Sequence, residues 1–149
     1  KILELNPNKL SAHKLIANKL IEFGVVKAAE DHFRQAIALS PADSAMLNNL
    51  AWMEATYPDP SGRDGAAAVQ YANRAVELNA SKNPSYLSTL AAAYAENGQY
   101  DLAATTQEQA IQIAQAAGKS SLAENWKERL ALYRSGHAYH ETSSATTKP

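Results

Sequence analysis

His137 and His140 are three positions apart near the C-terminus, a spacing at which two imidazoles can share a metal ion. No third ligand is set beside them, so the pair reads as incidental. Asp59, Arg63 and Asp64 fall in TYPDPSGRDG, residues 56–65. Carboxylates beside a guanidinium suggest an ion site, but in a loop rich in Pro and Gly they more often make internal hydrogen bonds and a helix N-cap. Gly62-x2-Gly65 is not a phosphate loop, because no strand precedes it and no Lys-Ser/Thr follows. His13 stands at a helix position suited to a large apolar side chain and is expected to pack between helices. His32, beside Phe33, reads as a surface residue. No Ser/His/Asp order stands out, and the absence of Cys removes disulfides, thiolate zinc sites and a Cys nucleophile. The chain is expected to be no enzyme and to need no metal or cofactor. A different set has the chemistry of recognition: Lys14, Asn18, Asn49, Trp52, Ser85 and Thr89. An Asn side chain pairs with both the donor and the acceptor of a peptide backbone. Lys14 favours a carboxylate, and an indole supplies apolar contact area.

These residues need helices to position them. Pro84 to Ile113 reads as two amphipathic helices joined by a tight turn. Leu87, Leu90, Ala91 and Tyr94 recur at i, i+3, i+4 and i+7, one face of a helix. Asn97-Gly98 stops it, since Gly takes the left-handed cap conformation cheaply. Leu102, Ala103, Ala110 and Ile113 line the second helix. The alanines allow close backbone approach. A pair this short cannot bury its apolar face alone and needs neighbours of the same kind.

The neighbours are present. His13-x2-Ile16-Ala17-x2-Leu20 leads to Gly24, then Ala29-x3-Phe33-x2-Ala36 and Pro41. Leu47-x2-Leu50-Ala51-x2-Glu54 leads to Ala68-x3-Ala72-x2-Ala75. Leu5 to Leu39 is 34 residues, Leu39 to Leu78 is 39, and Leu78 to Ile113 is 35. The pattern resembles the tetratricopeptide repeat. From Ala51 to Ala68 the spacing is 17, against 12 from Ala17 to Ala29 and from Ala91 to Ala103, so the second repeat carries a five-residue insertion at 56–65. Leu50-Ala51-Trp52, Pro58-Asp59 and Arg63-Asp64-Gly65 resemble a recurrent bacterial variant of the repeat, with Glu54 departing from its tyrosine. Pro58 and Pro60 stiffen the insertion, and Gly62 and Gly65 are expected to let it turn.

The resemblance implies an all-α, right-handed α-solenoid of antiparallel helix pairs, like the C-terminal repeat region of bacterial multi-repeat proteins. Residues 1–7 read as the end of a preceding repeat, 10–41 as repeat one, 44–80 as repeat two and 84–115 as repeat three. Residues 119–134 read as a capping helix with Leu122, Trp126, Leu130 and Tyr133 on its inner face, and 135–149 as a disordered tail. Because KILELNP matches the helix end AIALSP at 36–41, the chain reads as part of a longer protein.

In such stacks the first helix of each repeat lines the concave side, which implies a protein or peptide ligand bound by the six residues named above. Chaperone-binding members grip a terminal carboxylate with Lys and Asn from the first repeat, Asn from the second, and Lys and Arg from the third. Lys14, Asn18 and Asn49 match, but Ser85 and Thr89 replace the last two cations, which argues against a chaperone tail.

Composition sets the remaining bounds. Hydrophobic residues make up 46% and aromatics only 7%, so the core must be built from Ala, Leu and Ile. A net charge of −1, with no basic run, gives no electrostatic drive toward nucleic acid or anionic membrane. No apolar run approaches a membrane span. Two alternatives accompany the scaffold reading: a regulatory or substrate-recruiting arm of a larger bacterial enzyme such as a glycosyltransferase, and a self-assembly module in which the exposed N-terminal helix pairs with a second copy. The compartment, cytoplasmic or periplasmic, stays open, as does a membrane-anchored parent.

Overall fold

The computed structural model describes residues 7–79 and 83–142. Those residues form seven α-helices and no strand: α1 (Pro7–Glu22), α2 (Val26–Leu39), α3 (Ser44–Thr56), α4 (Gly65–Leu78), α5 (Pro84–Glu96), α6 (Tyr100–Ala116) and α7 (Ser120–Arg134). The helix expected to end at Leu5 lies outside them. Neighbouring helices pack in sequence order: α1 on α2, α3 on α4, α5 on α6, and α7 on α6. α5 also packs on both α3 and α4, whereas α2 meets α3 only sparsely. This is an all-α, repeat-like architecture. No described helix is long and apolar enough to cross a membrane.

Local signals place the helix ends. Asp43 caps α3 by accepting from the Met46 amide at 3.0 Å, and Asp64 caps α4 by accepting from the Ala67 amide at 3.0 Å. Asn83 caps α5, whose first residue is Pro84, a position where proline's missing N–H costs nothing. Gly24 (φ 73°) and Gly98 (φ 76°) take the left-handed conformation at the turns inside the first and third pairs. After Gly24, the Val25 amide reaches back to the Leu20 carbonyl at 2.8 Å and closes the helix end.

Small residues set the interhelical distances. Ala17, Ala29 and Ala36 in the first pair, Ala51, Ala68 and Ala72 in the second, and Ala91, Ala103 and Ala110 in the third are all fully buried. Phe33 fills the first core. Leu87 and Leu90 join Trp126 and Leu130 in a core that runs from the second pair to α7. Leu102, expected on the inner face of α6, is 48% exposed. The buried stripe runs through Ala103, Gln107, Ala110 and Ala114, and Leu102 falls one position off it.

The insertion is held by Arg63. Its guanidinium donates to the carbonyls of Tyr57 (2.6 Å) and Pro58 (2.9 Å), and its Nε donates to Glu96 Oε1 at 2.9 Å. Asp59 accepts from the Ser61 amide and caps a single 3-10 turn, Pro60–Gly62. Gly62 closes the 3-10 turn and, like Gly65, is not in the left-handed conformation. They provide room instead. A Cβ on Gly62 would sit 2.7 Å from the Tyr57 ring, and one on Gly65 would sit 2.8 Å from the Glu96–Asn97 backbone. The start of α4 can touch the end of α5 only because Gly65 has no side chain.

Candidate functional site

Side chains of α1, α3 and α7 approach one another on one side of the described residues. Trp52 on α3 and Arg129 on α7 are separated by α5, which on a flat face would leave their helix axes roughly 16–20 Å apart at usual packing distances. Yet the Arg129 guanidinium lies 4.6 Å from the centre of the Trp52 ring system. Long side chains from α3 and α7 thus meet over α5.

Three of the six expected recognition residues meet there. Asn18, Asn49 and Trp52 line one cavity of about 150 Å³, together with Ile21, Phe33, Met53, Tyr57 and Glu141. Its lining is mainly apolar, with the two exposed amides contributed from α1 and α3. The other three are engaged elsewhere. Lys14 pairs with the Asp43 carboxylate, which already caps α3. Partial burial pushes that carboxyl up, but the Lys14 ammonium and the Met46 and Ala45 amides outweigh burial and hold it below the usual range. Thr89 is buried, its hydroxyl donating to the Ser85 carbonyl at 3.1 Å. Ser85 is half-buried in the first turn of α5, where its amide is taken by Asn83. Ser88, Thr89 and Ala92 on α5 are buried, with Ser88 bonded to Gln107 on α6 and Arg129 on α7.

Residues 135–142 make specific contacts, unlike the loose stretch expected from Ser135; residues 143–149 lie outside the described residues. The Tyr139 ring lies 6.0 Å from Trp52, tilted by 35°, and the Arg129 guanidinium is 4.6 Å from each ring. Trp52 Nε1 donates to Glu141 Oε1 at 2.9 Å. The Glu141 amide donates to the Thr56 carbonyl at 2.8 Å. His140 Nε2 is 2.6 Å from Glu96 Oε2. Ala138 and Tyr139 pack against the core of Ala91, Ala95, Ala103 and Tyr133. Trp52 thus meets the C-terminal segment.

Arg129 is fixed from behind. It donates to Ser88 Oγ at 3.3 Å, and Ser88 donates in turn to Gln107 Oε1 at 3.0 Å. The sequence pattern puts Arg129 among the solvating residues of α7, because its long stem leaves the apolar stripe. Gln107, fully buried, escapes the pattern for the same kind of reason: its polarity reads as solvent-facing. The one signal in the sequence is Trp52 itself, since an indole on an outward helix face requires neighbours.

Two polar groups lie away from this face. His13 Nδ1 and His32 Nδ1 are 2.8 Å apart, joining α1 to α2, so His32 is half-buried and paired, not a free surface residue. On α3, Glu54 is 2% exposed and neither carboxylate oxygen has a hydrogen bond. Arg34 Nη2 stands 3.6 Å away. Burial, reinforced by Glu30 and Asp64 and opposed by Arg34, pushes the Glu54 carboxyl up to about 7.

No protein-family model matches the chain, and no curated protein matches it.

Proposed function

We propose that this chain is a tetratricopeptide-type repeat domain, a right-handed solenoid of helix pairs, and that it binds a protein segment in the concave groove of the stack. It acts by binding, without catalysis of its own. One observation supports this most directly: Asn18 and Asn49, both exposed, stand with Trp52 around one mainly apolar cavity. Two amides beside an apolar pocket suit an extended peptide that presents backbone to the rim and one side chain to the floor.

A displayed library of random peptides, selected on the chain, supplies the ligands. Trp52→Ala, and Asn18→Ala combined with Asn49→Ala, should each weaken the selected peptides at least ~10-fold with the helical circular dichroism preserved. Gln109→Ala, on the exposed side of α6, should leave binding unchanged. Loss of binding in Gln109→Ala with retention in the groove variants would overturn the assignment.

Self-association has its own supporting observation. Leu15, Ile16, Phe23 and Val25 are exposed at one end of the stack. A second copy seated there would make the mass in solution rise with concentration, and Phe23→Ser would abolish that rise. A regulatory role within a larger enzyme is compatible with the same peptide-binding groove.

A further inference from the structure

We propose that residues 138–141 of this chain are the resident ligand of the groove, and that the external ligand is an extended peptide carrying an aromatic residue followed two positions later by a carboxylate. This deepens the peptide-binding reading and rests on it.

The contacts alternate as those of an extended segment do, with residues i and i+2 on one side and i+1 on the other. Tyr139 and Glu141 both meet Trp52, while His140 between them turns to Glu96 on α5. The main chain is held as well. Thr56 is the last residue of α3, so its carbonyl has no partner within the helix. The Glu141 amide fills that place. Aromatic ring, peptide N–H and carboxylate are thus each matched by a separate group: Arg129 with Trp52, the Thr56 carbonyl, and the Trp52 indole N–H. None of these depends on the ligand belonging to the same chain. Arg129 is moreover fixed by Ser88 and Gln107.

The segment is also built to leave. His140 and Glu141 are exposed and Tyr139 is only half-buried, so the segment lies at the surface and can leave without opening a helix. What holds it is tethering. It follows α7 directly, and a short flexible linker gives an effective concentration on the order of millimolar. If the free segment binds with a Kd of ~100 μM, the closed form outweighs the open by ~10 to 1, and an external peptide is weakened by that factor. A ligand that also fills the adjoining cavity, where Glu141 forms one wall, gains contacts unavailable to Tyr139 and His140.

The probe is a labelled synthetic peptide, GHAYHET, matching residues 136–142. It is titrated by fluorescence anisotropy against the full chain and against a full chain carrying Tyr139→Ser and Glu141→Ala. The released variant should bind it ~10-fold more tightly than the parent. A peptide with the same two replacements should not bind. Arg129→Gln, or Trp52→Ala, added to the released variant should remove binding while the helical signal stays. Equal affinity of parent and released variant would overturn the proposal. So would a doubled mass of the parent that falls to the monomer value in the released variant, since the segment would then serve a second copy. If the released variant ignores GHAYHET yet binds library-selected peptides through Trp52, this inference falls and the peptide-binding reading stands.

Discussion

Replacing Glu54 with Gln isolates a single buried charge. In the native protein burial pushes its carboxyl up to about 7, from 4.5 for the ordinary group. Between those values the folded state holds a proton that the unfolded chain has released, so stability falls as pH rises. The contribution is fully present below about 4.5 and lost as pH passes through about 7. Its size follows from the difference of about 2.5 units: at about 1.4 kcal/mol per unit, about 3 kcal/mol in all. The charges facing it are Glu30 and Arg34 from α2, Asp64 from the insertion, and the Tyr71 hydroxyl from α4. All of these stay in the variant. Glu54→Gln carries its own cost, since the buried amide donors find no assured acceptor, about 1–3 kcal/mol. That cost does not vary with pH. The expected result in urea unfolding followed by circular dichroism is therefore a difference in slope. From about pH 5 to pH 8 the parent should lose about 2–3 kcal/mol more than Glu54→Gln. Parallel stability profiles would refute the reasoning and mean that Glu54 is ionised in the fold at about pH 5 or reached by water.

Gly65→Ala should destabilise by about 1–3 kcal/mol, because its methyl group meets the Glu96–Asn97 backbone, which cannot rotate away; thermal unfolding reads this directly. Phe33→Ala, at a fully buried site in the first pair, should cost about 3–5 kcal/mol in urea unfolding. Arg63→Met keeps the stem but leaves the Tyr57 and Pro58 carbonyls without their donor and Glu96 without its Arg63 partner. Limited proteolysis should then cut within residues 57–64 faster than in the parent, with overall helicity unchanged.

How far the sequence can be read depends on whether the signal is periodic. The alanines of the three helix pairs and the turn glycines Gly24 and Gly98 are local rules applied repeatedly, and each is visible without the fold. Asn18, Asn49 and Trp52 follow from repeat spacing and do share a cavity. Ser85 and Thr89 follow from the same spacing but lie half-buried and buried, where the third pair packs closely on the second. A period fixes which face a residue is on, but not how much of that face its neighbour covers. Lys14 is paired with Asp43, a partner outside the repeat pattern. The contacts of Tyr139 and Glu141 with Trp52 join residues far apart in the chain, and no periodicity connects such positions outside the repeats.

The thin seam between α2 and α3 has a thermodynamic consequence. The cavity straddles it, with Asn18 and Ile21 on one bank and Asn49 and Trp52 on the other. A peptide bound there would touch both the first pair and α3, which meet through few backbone approaches but share the buried Met46, Leu50 and Met53 of the first core, the Lys14–Asp43 ion pair and the approach of Arg34 to Glu54. Binding and the docking of the first pair must then share one free energy. Whatever ligand bridges the banks also protects the first pair from opening, and whatever loosens that pair weakens the ligand by an equal factor. Hydrogen exchange would register occupancy most strongly in α1 and α2, and least in the third pair, whose amides are already held by close neighbours.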